Sequence, residues 1–352
     1  MQSTMKRCSR CIIPETWEGL TFDKKGICIM CQIHEKRNKI DWESREKEFR
    51  KVMEKYKAMA KERGNPYDCI VPYSGGKDST YTLYEIVKNY GMKPLVVTFS
   101  NMFSRDIIKE NMSIVFDKLG VDHIILSTNW HVIKKLVAKS FKETGDYCWH
   151  CHCGIYSFPM QIAVAYKIPL LVWGNADYSS DENEHRTRDW KHFSKYVNLG
   201  LSVQDMVGKG VALRDLIPYT YPSAKELKEL NIIGVNQGEY FHWNALKQSD
   251  LIKKELGWKG AEVEGSFVDY DHIEAMYIGV RDYIKFLRRK VGRTAQLASV
   301  YVRNGLLTRE QALELAEKYD GKRPASLDQF LEDMGLAESQ FYRYALKHRV
   351  YQ

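Results

Sequence analysis

Residues 74–79 read Ser-Gly-Gly-Lys-Asp-Ser, directly behind the apolar run "YDCIVPY" and directly ahead of a helical stretch. Two glycines let backbone N–H groups approach an anion closely, and a helix N-terminus adds a favourable dipole. Ser74 and Ser79 can donate hydrogen bonds and Lys77 supplies positive charge, so the stretch reads as a phosphate cradle. Its spacing is that of neither common nucleotide loop. The position five residues before Gly76 is Val71, where G-x4-G-K-[ST] requires glycine, and G-x-G-x-x-G also fails here. Asp78 has a plainer role open to it, as a first-turn acid complementing the helix dipole.

Seven of the eight cysteines are clustered. Cys8-x2-Cys11 and Cys28-x2-Cys31 are two pairs separated by 16 residues, the pattern of a four-cysteine zinc ribbon. Gly26 permits a hairpin turn between them, and the metal replaces a core that so short a segment cannot build. A redox pair and an iron–sulfur cluster are the other readings. Four cysteine ligands leave no open coordination position, which argues for a structural metal. The second group, "YCWHCHCG", places Cys148, His150, Cys151, His152 and Cys153 together. It reads as a second metal or iron–sulfur site, as a reactive thiol, or as buried packing. Cys69 sits in an apolar strand and reads as core.

The elements that position these groups follow from periodicity. "DWESREKEFRKVMEKYKAMAKER" (41–63) carries Trp42, Phe49, Met53, Tyr56 and Ala60 at helical spacing and ends at "GNP". From Tyr67 the pattern alternates between strand and helix. "YDCIVPY", "KPLVVTFS", "DHIILST" and "IPLLVWGN" read as strands. "DSTYTLYEIVKNY", "RDIIKENMSIVFDKLG" and "WHVIKKLVAKSFKE" read as the helices between them. Apolar strands alternating with amphipathic helices predict an α/β fold, a twisted parallel sheet with helices on both faces. Ligands in such folds bind at the carboxyl ends of the strands, where the glycine turn, Ser100 and Gly174 all fall. From about residue 216 the strand signal fades. Segments 272–290, 308–318 and 326–347 read as helical, with Thr308 and Ser326 each three residues ahead of a glutamine as in a capping box.

Bulk composition excludes some classes. The chain has 352 residues, 44% hydrophobic and 28% charged, ordinary for a globular protein. No apolar run approaches the roughly 20 residues of a membrane span, and the N-terminus has no secretory apolar segment. The reading is therefore cytoplasmic, with no membrane partner. A net charge of +8 suits anionic, phosphorylated ligands and is weak support for nucleic acid.

The stretch S-G-G-x-D-S resembles the PP-loop of the ATP pyrophosphatase superfamily. The chain as a whole resembles the N-acetyl sugar amidotransferases of that superfamily. The resemblance rests on "CSRCIIPET", "GICIMC", "YDCIVPYSGGKDS", "PLVVTFSN", "YCWHCHCG", "PLLVWGNA" and "VGRTAQLASVYVRNGLLTREQALELAEKYDGKRP". It implies an adenine-nucleotide alpha-hydrolase-like fold in four parts. These are a zinc ribbon (1–40), a linker helix (41–66), an ATP pyrophosphatase domain (67–215) and a mostly helical C-terminal region (216–352). It implies ATP, Mg²⁺ and zinc as cofactors, and conversion of the N-acetyl group of a nucleotide-linked sugar to an acetamidino group. ATP would adenylate the acetamido oxygen, releasing pyrophosphate, and ammonia would then displace AMP. A separate glutaminase, with a cyclase-like subunit, would supply the ammonia in surface-polysaccharide or flagellin-glycan biosynthesis.

By position, the resemblance assigns Ser74, Gly75, Gly76, Lys77, Asp78 and Ser79 to the pyrophosphate. Lys77, Asp78 and Asp177 are the catalytic candidates, the two acids as groups near Mg²⁺. Ser100 and Asn101 would meet adenine or ribose, and Gly174 and Asn175 would lie against the adenylate. An ordinary polar turn is the plainer reading of Asn175 and Asp177. His185, Arg186 and Arg188 could grip a sugar diphosphate or belong to a solvated loop. The basic stretch Lys285, Arg288, Arg289, Lys290 and Arg293 reads as a solvated helix face or as a phosphate or partner contact. The alternative function is a tRNA sulfur-insertion enzyme using the same adenylation chemistry. Its cluster-bearing forms carry a further cysteine downstream, and none follows Cys153. A zinc-ribbon adaptor that only senses nucleotide is the non-enzymatic alternative.

Overall fold

The computed structural model describes residues 5–174 and 198–351. Helices α1 (Ile29–Arg37) and α2 (Trp42–Glu62) precede a single sheet. The sheet is built from β1 (Cys69–Pro72), β2 (Pro94–Ser100), β3 (Asp122–Ser127), β4 (Leu170–Trp173) and β5 (Ile233–Asn236). Its order is β3-β2-β1-β4-β5, and every neighbouring pair is parallel. Helix α3 (Lys77–Tyr84) leads from β1 toward β2, and α4 (Asp106–Leu119) joins β2 to β3. Helices α5 (Trp130–Thr144) and α6 (Trp149–Tyr166) return the chain to β4. The strand order therefore reverses at β1, with β2 on one side and β4 on the other. Their carboxyl ends diverge there and leave a crevice, the usual ligand position in an open α/β sheet.

Strand alternation sorts the apolar side chains between two cores. Cys69, Val71, Val96, Leu170 and Val172 pack on one face with Phe49, Met53, Val115 and Ile252. Ile70, Leu95, Val97, Phe99, Leu171 and Trp173 pack on the other with Leu136, Trp149, Cys153 and Met160. Cys69 is thus core, and burial pushes its thiol pKa up. The edge strand β3 differs from the expectation of a covered strand: its residues alternate between exposed and half-buried. Helix α6 packs so closely on β2 that a Cβ on Gly154 would stand 2.2 Å from the Phe99 ring.

Several local expectations are corrected. The stretch read as one helix after the glycine loop becomes a π-turn at Glu85–Asn89. β5 lies beyond residue 216, where strand signal was expected to end. It is four residues long and includes Gly234, too little for periodicity to reveal. After α7 (Val203–Met206) and α8 (Ala224–Glu229) come α9 (Ala245–Leu256), α10 (Ile278–Arg289) and α11 (Arg293–Arg303). Residues 272–277, expected to be helical, precede α10 as irregular backbone, with His272 at φ +58°. Helix α12 (Arg309–Tyr319) starts at the expected Thr308 capping box. Segment 326–347 is two helices, α13 (Leu327–Met334) and α14 (Glu338–Lys347), because Gly335 at φ +64° ends the first. Ser326 makes no cap: its hydroxyl donates to Glu264 instead. No helix among the described residues is long and apolar enough to cross a membrane.

The N-terminal module packs on helices of the C-terminal region. Ile12 packs with Val291, Ala295, Ala298, Ala312 and Ala316 of the C-terminal helices. Arg289 donates to Thr16 O at 3.0 Å, and Ile12 N–H donates to Ser299 Oγ at 3.3 Å. Within this N-terminal module Cys8, Cys11, Cys28 and Cys31 are buried, with all four sulfurs within 4.8 Å of one another. The Cys8–Cys31 and Cys11–Cys28 sulfur separations are 3.9 and 3.7 Å. A tetrahedron of zinc–sulfur bonds of about 2.3 Å has edges of about 3.8 Å, so the group fits a metal such as zinc. The N–H groups of Arg10 and Cys28 also donate to Cys8 Sγ, as befits a charged thiolate ligand.

We predict one tightly held zinc per chain by elemental analysis. Cys28→Ser should lose it and make residues before α2 sensitive to protease. Full metal retention in that variant would remove the four-cysteine assignment.

Candidate functional site

A cavity of about 200 Å³ opens at the carboxyl ends of β1 and β4. One wall is the turn from β1 into α3. Gly75 adopts φ +84°, and a Cβ there would lie 2.5 Å from Ile108 Cγ2. Only glycine meets both demands without strain. Ser79 Oγ accepts from Ser74 N–H at 3.2 Å, and Ser74 Oγ accepts from Gly76 N–H at 3.3 Å. These bonds hold the turn open. The first-turn amides of α3 have no intrahelical acceptor, so the mouth presents donors to an anion. Two indoles fix the turn from outside. Trp258 Nε1 donates to Gly75 O at 3.0 Å, and Trp243 Nε1 donates to Asp78 Oδ1 at 3.2 Å.

The facing wall comes from residues 271–274, ahead of α10. Lys77 Nζ lies 2.8 Å from Asp78 Oδ2 and 3.3 Å from Asp271 Oδ1. Burial alone would lower the Lys77 pKa; the two carboxylates overcome it and raise it. The other oxygen of Asp271 accepts from Arg293 Nη1 at 2.6 Å, and Arg293 also bonds Asp282 through Nε at 2.6 Å. Burial would raise the Asp271 pKa, but His272, Lys77 and Arg293 hold it well below the carboxylate range. Lys77, Asp271, Arg293 and Asp282 thus form one buried chain of alternating charge.

Glu274 behaves oppositely. Burial, with Asp271 and Asp78 nearby, pushes its carboxyl up to about 7, against its own backbone N–H and Lys77. Its Oε2 is buried without a hydrogen-bond partner. That oxygen would stand 2.8 Å from a Cβ on Gly76, so the carboxyl rests against the glycine turn.

The remaining lining is apolar, including Phe99, Tyr156 and Trp173, with Tyr156 and Trp173 stacked at 4.9 Å between centroids. Such a wall suits a flat heterocycle. Of the residues expected here, Ser74, Gly76, Lys77, Asp78, Ser79 and Gly174 line the cavity, with Gly75 behind them. Gly174 has a packing reason as well: a Cβ there would lie 2.2 Å from Thr82 Oγ1 and 2.6 Å from Asp78 O. Ser100 and Asn101 do not line the cavity. Ser100 Oγ accepts from Met102 N–H, and Asn101 Nδ2 donates to Cys151 Sγ at 3.4 Å. Asn175, Asp177, His185, Arg186 and Arg188 lie outside the described residues. Asp271, Glu274, Trp243 and Trp258 were not singled out from sequence, and Arg293 was named only as part of the basic stretch. The acid-rich run "DYDHIE" at 269–274 is the one sequence signal by which the first two could be found.

The second cysteine group needs correction as a metal site. Among the described residues, only the four N-terminal cysteines bring three or more ligand atoms within 4.8 Å. Cys151 and Cys153 are two residues apart on α6, about 200° around the helix, so they face opposite ways. Cys153 belongs to the sheet core and Cys148 to a different core with Phe103 and Tyr147. Burial raises both thiol pKa values well above the ordinary range. His150 packs on Phe103 at 5.3 Å, and burial lowers its pKa to about 4. His152 Nε2 lies 3.1 Å from Arg281 Nη2. The basic stretch is also largely internal: Arg288 donates to Gly145 O, Arg289 to Thr16 O, and Arg293 to two buried aspartates.

Residues 264–351 match the family described as LPS biosynthesis protein WbpG-like, C-terminal domain. This segment supplies Asp271, His272 and Glu274 to the cavity. A second similarity is to an uncharacterized protein, MJ1599, of Methanocaldococcus jannaschii. It is 26% identical over 125 residues, 35% of this chain and 43% of that protein. The match thus spans less than half of the relative's length.

The charge chain joins the WbpG-like segment to the glycine turn, so its loss should reach both. Arg293→Met leaves buried Asp282 without its guanidinium and Asp271 with Lys77 alone, at a cost of about 3–5 kcal/mol. Chemical denaturation should register this near neutral pH. Asp271, whose pKa is depressed, stabilises the fold above the ordinary carboxylate range. That contribution fades only as pH falls through the depressed value. The difference between wild type and Arg293→Met should therefore shrink on acidification.

Proposed function

We propose that the protein is an ATP-dependent, AMP-forming amidotransferase. It converts the N-acetyl group of a nucleotide-linked sugar into an acetamidino group for surface-polysaccharide or flagellin-glycan biosynthesis. The observation that carries this reading is one cavity with two sources. Its floor is the S-G-G-K-D-S turn opening α3, and its facing wall belongs to the segment similar to a WbpG-like LPS biosynthesis domain.

In this reading the turn and the first amides of α3 hold the terminal phosphates of ATP. Lys77 moves from Asp78 and Asp271 to the phosphate oxygens, exchanging one set of anions for another at little change in local charge. The cavity already carries Asp78, Asp271 and Glu274. A bound triphosphate would therefore need Mg²⁺ to offset its charge, with Asp78 the residue that would help hold it. The Phe99, Tyr156 and Trp173 wall takes adenine, a role first expected of Ser100 and Asn101. The acetamido oxygen attacks the α-phosphorus and pyrophosphate leaves. An amide oxygen is a poor leaving group, and adenylation turns it into a good one. Ammonia from a partner glutaminase, with a cyclase-like subunit, then displaces AMP. The apolar lining limits competing hydrolysis.

The test is pyrophosphate release from ATP with ammonium present, across UDP- and CMP-linked N-acetyl sugars and bulk tRNA, with mass spectrometry of products. We expect one sugar nucleotide to stimulate release and to exchange an oxygen for NH. Lys77→Met should lower that release by about 100-fold or more, the scale of losing one preorganised electrostatic contact. Stimulation by tRNA alone would sink the proposal.

A further inference from the structure

The displacement step has a proton to lose, and the cavity contains one group suited to take it. Ammonia adds to the adenylated carbon through its lone pair, forming a C–N bond and leaving the new nitrogen as –NH₃⁺. Breaking the C–O bond to AMP yields an amidinium only if that nitrogen gives up one proton. We propose that Glu274 accepts this proton on Oε2, the oxygen that lies against the glycine turn, and so acts as the base of the ammonia step. The inference rests on the amidotransferase reading.

Three observations carry it. Glu274 lines the cavity. Its Oε2 is buried and bonded to nothing. The other acids there are already engaged, Asp78 by Lys77 and Trp243, and Asp271 by Lys77 and Arg293. When Lys77 turns to the phosphates, Asp271 keeps its bond from Arg293 and Asp78 keeps its bond from Trp243. Glu274 has no such tight partner: the nearest imidazole nitrogen, His272 Nδ1, is 3.7 Å from Oε1.

The charged and titratable surroundings fit a base that works near neutrality. From α3, Lys77 lowers the Glu274 pKa and Asp78 raises it; from its own segment, Asp271 raises it. Arg293 on α11 is held beyond Asp271, and Cys151 on α6 lies near enough to feel the Glu274 charge. Burial is the largest influence, and the result is a carboxyl near 7. General bases are most effective when their pKa lies near the working pH. His272, 3.7 Å from Oε1, is 44% exposed at the rim.

The experiment measures amidine formed per pyrophosphate released, at fixed free-ammonia concentration, for wild type, Glu274→Gln and Glu274→Asp. Glu274→Gln should lower this ratio by about 10²-fold or more, with the adenylated sugar lost to water as regenerated acetamide. Wild-type amidine formation should fall as pH drops through about 7, where the carboxyl protonates, and Glu274→Gln should lose that limb. Glu274→Asp should keep a limb. Difference infrared of wild type minus Glu274→Gln, with no substrate, should show a carboxyl titrating near neutrality. An unchanged ratio with the limb intact overturns the inference. So does a parallel fall of both products, which would make Glu274 a phosphate-side or structural group. Wild type that releases no pyrophosphate with any sugar nucleotide takes down the amidotransferase reading and this inference together. Release without an effect on the ratio takes down the inference alone.

Discussion

The buried chain Lys77–Asp271–Arg293–Asp282 is the constraint on which the rest of the site depends. Lys77 belongs to the turn after β1; Asp271 precedes α10, Asp282 lies within it, and Arg293 opens α11. Desolvating four charges is expensive, and their mutual attraction repays it only when the geometry is good and the remaining donors are satisfied. Here Arg293 makes a two-point contact with Asp282 and a third bond to Asp271. Such a chain adds little net stability over apolar packing, but it tolerates few alternative arrangements. It thereby fixes segment 264–351 against the glycine turn in a defined register.

That registration explains how several elements remote in sequence share one purpose. The two indoles that brace the glycine turn come from residues 243 and 258. The C-terminal helices that carry Arg293 also pack on Ile12 and bond to Thr16. The four-cysteine module is therefore a buttress for the helices behind the site rather than a detached appendage. Its sulfurs, spaced for tetrahedral coordination, fix the module's shape where a small apolar core could not. Charge is divided unequally within the cavity: Asp271, paired with Lys77 and Arg293, stays ionised and Glu274, largely unpaired, holds its proton to near neutrality. Two carboxyls three residues apart are thus given different chemistry by their neighbours alone.

Much of this was legible in sequence, and for physical reasons. The apolar alternation of "CIV" and "PLVVTF" records burial on both faces, and Cys69, Val71 and Val96 do part from Ile70, Leu95 and Val97 as a two-residue repeat demands. Gly75 declares a left-handed turn that other residues resist. The cysteine spacing likewise carries its own coordination geometry. β5 escaped because four residues with a glycine leave no periodic trace. Ser326 looked like a cap because the motif is local, whereas its hydroxyl went to Glu264, a partner 62 positions away. The cysteines of α6 looked like ligands by their density, but helical rotation sends neighbouring side chains to different cores.

The amino-acid sequence by itself determined the elements whose causes are local: the parallel strands, the glycine turn, the metal-spaced cysteines and most helix boundaries. Only the tertiary structure decided which acid meets Lys77, which carboxyl is left unpaired, and that residues 271–274 wall the cavity. The physical reason is range. Propensity, periodicity and turn conformation act over a few residues. Burial and charge pairing join positions such as 77, 271 and 293, whose separation in sequence says nothing of their distance in space.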